Sequence, residues 1–247
     1  MGYQKLEELE RELIEMVKAV LFDLDGTLLP MDQDVFLKEY FSLLAKKLAP
    51  FGYQPDELIR AILHGTEAMV KNNGIRTNEE VFWNDFTKIY GEHARTHEPL
   101  FADFYAIDFQ KIQNFCGYDS RAASIVRDLK NAGTRVILAT NPIFPAIAIE
   151  SRIRWAGLTP EDFEFYTSYE NFGYSKPNIA YYRELLNRRG LSPKDCVMVG
   201  NDVDEDMVAE QIGMQVFLLT DCLINKSGTD ISDFPQGNFD DLREFLF

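Results

Sequence analysis

The chain has 247 residues, 46% of them hydrophobic, enough for one large domain, or a main domain with a smaller insert, around a real core. A formal net charge of −15, from 25 Lys and Arg against 40 Asp and Glu, argues against nucleic acid or anionic membrane as partners, since both are polyanions that reward basic patches. Cys116, Cys196 and Cys222 form no CxxC pair, no apolar run approaches a membrane span, and the amino terminus is charged where a signal peptide needs an apolar centre, so a cytoplasmic protein is expected.

In chain order, Leu6, Leu9, Leu13, Ile14 and Val17 recur at helical spacing among acids, which predicts an amphipathic helix from Tyr3 to Val17. The run Ala19-Val20-Leu21-Phe22 then reads as a buried strand, and it ends abruptly in Asp23-Leu24-Asp25-Gly26-Thr27. Strand alternation places Asp23 and Asp25 on one side of the ribbon, where two anions call for a positive partner. A hard divalent ion such as Mg2+ suits so oxygen-rich a site.

From Met31 to Cys116 aromatic and Leu residues follow a helical period with almost no β alternation. The expected helices begin at an Asp34 cap and run to Leu48, from Pro55 to Asn72, from an Asn78 cap through Val81, Phe82, Phe86 and Ile89, and from Pro99 to Phe115. Beyond Asp119 strand and helix alternate, the pattern of a parallel sheet covered by helices. Helices are expected over Ser120–Asn131, from Pro142 to Gly157, and over Pro177–Arg189, with strands at Arg135–Thr140, Phe163–Ser168, Cys196–Val199 and Val216–Thr220. The tail from Asn225 to Gly237 is polar and turn-rich, and Asp240–Phe247 suits a closing helix.

Ligands of open parallel sheets bind beyond the carboxyl ends of the strands, so the residues there are the informative ones. They are Asp23 and Asp25, then Thr140 and Asn141, then Gly200-Asn201-Asp202, with Lys176 ahead of Pro177. Carboxylates, a hydroxyl, loop amides and one ammonium fit a phosphate bound beside Mg2+. Asp202 is the best-placed further acid and Asp206 lies one turn on, whereas Asp204 and Glu205 read as helix-start acids favoured by the dipole.

Asp23-x-Asp25-Gly26-Thr27, Thr140 after an apolar strand, Lys176-Pro177 and Gly200-x-Asp202-x-x-x-Asp206 resemble, in order, the four motifs of the haloacid dehalogenase superfamily. The resemblance implies an α/β fold, a Rossmann-like parallel sheet flanked by helices, formed by residues 1–30 and 118–247. Residues 31–117 resemble its inserted all-helical, mobile cap of the C1 class. By the same resemblance Asp23 is the nucleophile and Asp25 the acid/base. Thr140, Asn141 and Lys176 bind the phosphate, and Asp23, the Asp25 carbonyl and Asp202 hold Mg2+ with Asp206 in support. Asn201 departs from the pattern, since many relatives carry the acid directly after the glycine. The implied activity is Mg2+-dependent hydrolysis of a small phosphorylated metabolite through an aspartyl phosphate. A second aspartate at Asp25 argues against haloalkanoate dehalogenation and phosphonate cleavage. The alternatives are a sugar phosphomutase with the same four motifs or, less favoured, a non-catalytic binding protein on the same fold.

Overall fold

The computed structural model describes residues 17–247, so the helix expected from Tyr3 lies, except for Val17, outside the described residues. Strand β1 (Ala19–Phe22) is the centre of a six-stranded parallel sheet with β2 (Arg135–Leu138), β3 (Phe165–Tyr166), β4 (Cys196–Gly200), β5 (Gln215–Leu219) and β6 (Gln236–Gly237). The order is β3-β2-β1-β4-β5-β6, so successive crossovers move outward from β1 and then reverse to its other side. That reversal opens a crevice between the carboxyl ends of β1 and β4.

Both faces of the central strands are apolar because both are covered. Val20, Phe22, Val136, Leu138, Val197 and Val199 enter one core, while Ala19, Leu21, Ile137, Cys196 and Met198 enter the other. Helices α5 (Ser120–Asn131) and α8 (Phe239–Leu246) contribute Ile125, Leu129 and Leu242 to the first core, and α7 (Ile179–Arg189) contributes Tyr181, Tyr182 and Leu185 to the second. Helix α6 (Ala146–Trp155) follows β2. The short edge strand β6 falls in the tail read from sequence as turns, because a Gln-Gly pair carries no apolar run to mark it.

Between β1 and α5 the chain is helical. It forms α1 (Gln33–Leu48), α2 (Pro55–Val70), α3 (Asn78–Tyr90) and the short α4 (Glu98–Asp103). The caps sit one or two residues earlier than expected. Asp32 accepts from Asp34 N and Val35 N to start α1, and Thr77 with Glu80 makes a reciprocal capping box for α3. The single helix expected from Pro99 to Phe115 is broken by a π turn at Phe104–Asp108 and a 3-10 stretch at Phe109–Phe115. There the Phe109 N–H donates to the Phe104 carbonyl, and the Gln110 side-chain amide takes the Tyr105 carbonyl at 2.9 Å. A side-chain donor has displaced the regular backbone one.

The two crossings into and out of this helical segment lie side by side: Met31 bridges Cys116, and Gly117 N donates to the Pro30 carbonyl at 2.6 Å. A third attachment is made by Asn78, which is fully buried. Its Nδ2 donates to the Pro142 carbonyl at 2.9 Å and Ser175 Oγ at 3.0 Å, and its Oδ1 accepts from Asn72 Nδ2 at 2.8 Å. The free N–H groups that open α3 are satisfied by the sheet side of the molecule, Asn78 N on the Phe172 carbonyl at 2.7 Å and Glu79 N on the Tyr169 carbonyl at 2.8 Å. Asn78 is therefore a fastener rather than a cap. Asn78→Ala should lower unfolding free energy by about 1–3 kcal/mol for each buried group it strands. Urea denaturation checks this, and an unchanged midpoint would contradict the role.

Candidate active site

The Asp23 N–H still donates to the Val199 carbonyl at 2.9 Å, so this carboxylate leaves the sheet in the register of β1 and β4. The chain then turns tightly, with Gly26 N on the Leu29 carbonyl at 2.8 Å and Leu29 N on the Leu24 carbonyl at 2.9 Å. Gly26 has φ +86°, and a side chain there would also collide with the Asn201 amide. Asn201 is buried across that gap. Its Nδ2 donates to the Cys222 carbonyl at 2.7 Å, and its Oδ1 accepts from the Thr27 hydroxyl at 2.8 Å. Thr27 keeps a longer contact, 3.3 Å, with Asp23 Oδ2. The asparagine after Gly200 thus braces the β1 turn against the chain beyond β5.

Lys176, 1% exposed, is the pivot of the polar cluster, with Nζ donating to Asp23 Oδ1 at 2.8 Å and to Asp206 Oδ1 at 2.6 Å. Burial works against its charge, but Asp206 and Asp23 raise its pKa well above the ordinary lysine value, so it stays an ammonium. Any side chain on Gly200 would strike the Asp206 carboxylate, which is how Asp206 lies over the end of β4 and accepts from Asp202 N at 3.1 Å. Burial pushes the Asp206 carboxyl upward, against the pull of Lys176.

A cavity of about 150 Å³ opens here, lined among others by Asp23, Asp25, Thr140, Asn141, Asp202 and Asp206. The crevice therefore brings together the acids, Thr140 and Asn141 singled out from the sequence, with Lys176 bonded beneath them. A cavity of about 980 Å³ lies at the opposite end of the strands beside Lys18, Arg135 and Asp195. It is remote from the carboxylate cluster and adjoins Val17, where the described residues begin.

Two residues of the site were not legible as such. Glu205 also lines the small cavity, receives Asn141 Nδ2 at 3.0 Å, and is pushed up to about 7 by burial. It is not a helix-start acid, because only a 3-10 turn, Met207–Ile212, follows. Arg152 on α6 is fully buried and pairs with Asp25 Oδ2 through Nη1, its guanidinium lying 4.4 Å from the centre of the Phe144 ring. The available signal was periodicity, since Ala148, Ile149, Ile153 and Ala156 place Arg152 on the apolar face of α6. Burial raises the Asp25 carboxyl, while Arg152 opposes that rise.

The donor set suits a hard cation. Asp25 Oδ1 and Asn141 Oδ1 are buried acceptors with no hydrogen-bond donor among the described residues, in a cleft already rich in carboxylate oxygen. No three His, Cys, Asp or Glu side chains among the described residues are arranged to hold a metal by themselves. An ion such as Mg2+ takes one or two carboxylates and completes its shell with water and substrate oxygens.

Removing Lys176 strands two carboxylates, so Lys176→Met should destabilise the fold by about 3–5 kcal/mol near neutral pH. Once freed, Asp206 has a pKa raised above its unfolded value, so protonation relieves the penalty. The deficit against wild type should be full above that raised pKa and shrink as the pH falls through it. Denaturation at several pH values checks this; a deficit independent of pH would contradict it.

A model of the haloacid dehalogenase-like hydrolase family matches residues 17–213. Similar proteins include a glyceraldehyde 3-phosphate phosphatase of Methanothermobacter thermautotrophicus, 27% identical over 227 residues that cover 88% of this chain and 95% of that one. A glyceraldehyde 3-phosphate phosphatase of Methanocaldococcus jannaschii is 22% identical, with 94% and 97% covered. The crystal structure of a 2-haloacid dehalogenase from Pseudomonas syringae pv. tomato DC3000 shares the fold with a TM-score of 0.58 at 21% identity, covering 93% of this chain and 98% of that one. With the family model spanning most of its length and the fold in agreement, this chain belongs to the haloacid dehalogenase-like hydrolases.

Proposed function

We propose that the protein is a Mg2+-dependent phosphatase that hydrolyses a small phosphomonoester through a phosphoryl group carried on Asp23. One observation carries this reading: two carboxylates two residues apart at the end of β1 have opposite tethers, Asp23 on Lys176 and Asp25 on Arg152. Asp23 is thereby turned toward the Lys176–Asp206 pair, and Asp25 is held apart from it as a separate proton-transfer group. The phosphatase activity of the two archaeal relatives supports the same reaction. Dehalogenation has no use for a second acid at Asp25, although the fold alone is shared with a dehalogenase.

In the first step an Asp23 oxygen bonds to phosphorus as the ester oxygen leaves, taking the proton of Asp25. In the second, Asp25 accepts a proton from water as that water bonds to phosphorus, and the Asp23–phosphorus bond breaks to release inorganic phosphate. Lys176 neutralises Asp23 and one phosphoryl oxygen, and Thr140 and Asn141 border the position of the others. Mg2+, held by Asp23, the Asp25 carbonyl and Asp202, would supply charge neutralisation to the phosphoryl oxygens. Residues 31–117 act as the cap over a main domain that comprises, among the described residues, 17–30 and 118–247, with Met31, Gln33, Phe36 and Leu37 walling the cleft.

Phosphate release from a panel of alkyl, sugar and glyceraldehyde phosphates tests the proposal. Activity should require Mg2+, vanish in EDTA, and fall by orders of magnitude in Asp23→Asn. Full turnover without metal, or an undiminished variant, would overturn it. A pH profile probes Asp25. Because Arg152 opposes the burial-driven rise of the Asp25 carboxyl, Arg152→Met should raise that pKa further. Asp25 acts first as an acid, so the alkaline limb of kcat/KM for an alkyl phosphate should move to higher pH. An unmoved limb would argue against Asp25 as the proton donor.

A further inference from the structure

Resting on the phosphatase reading, we infer that the leaving group of the natural substrate is an apolar alcohol the size of a single six-membered ring, seated in a chamber between the helical segment and the β2–α6 loop. A second cavity of about 190 Å³ adjoins the carboxylate-lined one, and the two share the walls Leu37, Ile143 and Phe144. Its remaining surface comes from α1, α2, α3 and the aromatic stretch beyond them, including Tyr40, Met69, Phe82, Trp83 and Phe101. No charged side chain lines it.

Of the few polar side chains in the chamber wall, Tyr40, Thr66 and Tyr105 already have protein partners. The Tyr40 and Tyr105 hydroxyls pair with each other at 2.9 Å, and Thr66 Oγ1 donates to the Ile62 carbonyl at 2.9 Å. Among the described residues the indole N–H of Trp83 is the one buried polar atom of this wall without a hydrogen-bond partner. Seating a polyhydroxylated or charged leaving group here would strip its water and return only a few hydrogen bonds, from the Trp83 N–H, the Tyr169 hydroxyl and the one hydroxyl hydrogen that the Tyr40–Tyr105 pair leaves free, with no charged partner, and that trade is unfavourable. An apolar group loses nothing and gains the burial of its own surface.

Size narrows the class further. An apolar cavity of about 150 Å³ is enough to bind benzene, so this chamber accepts one ring with a short link, or a branched chain of similar bulk. Leu37 and Leu63 are 40% and 51% exposed at its rim, which leaves a way in that a closed packing core would not have. The class is therefore an aryl-alkyl or branched-alkyl phosphate, in contrast to the glyceraldehyde 3-phosphate of the archaeal relatives.

The test compares kcat/KM for benzyl and 2-phenylethyl phosphate with that for ethyl phosphate, glycerol phosphate and glyceraldehyde 3-phosphate, all esters of poor alkoxide leaving groups. With each buried methylene worth about fourfold, the ring-bearing esters should exceed ethyl phosphate by roughly tenfold or more and exceed both polar esters. Leu63→Asp, a change at an exposed position of α2, should lower the benzyl-to-ethyl ratio of kcat/KM by placing a charge at the rim. A preference for glycerol phosphate or glyceraldehyde 3-phosphate, or a ratio untouched by Leu63→Asp, would overturn this inference and leave the phosphatase reading standing. Hydrolysis of none of these esters in the presence of Mg2+ would overturn both.

Discussion

The ion pairs of Lys176 with Asp23 and Asp206 are the constraint on which the rest of this structure depends. Five carboxylates, Asp23, Asp25, Asp202, Glu205 and Asp206, face one crevice at the carboxyl end of a parallel sheet. Left alone they would repel and take up protons, and burial, with neighbouring carboxylates adding to it, already raises Glu205 and Asp206. Two buried cations divide the problem. Lys176 binds Asp23 to Asp206 from below, and Arg152 draws Asp25 to the other side. Several otherwise unrelated features follow from this arrangement. Glycine at position 200 admits Asp206, and Asn201 crosses the space that glycine at position 26 leaves open.

The same crevice is bounded by an apolar region of very different chemistry. Phe36 and Phe144 flank the Arg152 guanidinium, and Phe144 is also a wall shared by the carboxylate cleft and the apolar chamber. A charge-bearing edge and an aromatic one thus meet at Phe144, beside Leu37 and Ile143. The Asn78 fastener holds the opening of α3 against the Pro142 carbonyl and Ser175, close to the loop that carries Ile143 and Phe144. Opening the helical segment would break these buried bonds as well as flexing the Pro30–Gly117 neck. Any such motion therefore starts from a well-attached state.

Much of this was legible in the sequence because strand ends are legible. An apolar run stopping at Asp23, another at Thr140 and a third at Gly200 locate three sides of one site once the sheet is parallel, and the helical period from Met31 to Cys116 marks the helical segment. The rest depended on contacts that no local pattern encodes. Arg152 lies 127 residues from Asp25, and its only trace was a charged residue on an apolar helix face. Glu205 looked like a helix-start acid because the chain beyond it could be read as a helix, whereas a 3-10 turn leaves it facing Asn141. The break in the helix expected from Pro99 to Phe115 coincides with the Gln110 amide bonding to the Tyr105 carbonyl, a contact that no local pattern encodes.

The central claim is that Asp23 carries the phosphoryl group and Asp25 moves the proton. It is tested most directly in an Asp25→Asn variant given an activated ester whose leaving group needs no proton. Rapid acid quench followed by peptide mass mapping should find phosphate accumulating on Asp23, because the nucleophile survives while the group that activates water is gone. Phosphate on any other residue, or none under conditions where the wild-type enzyme turns over, would contradict the account.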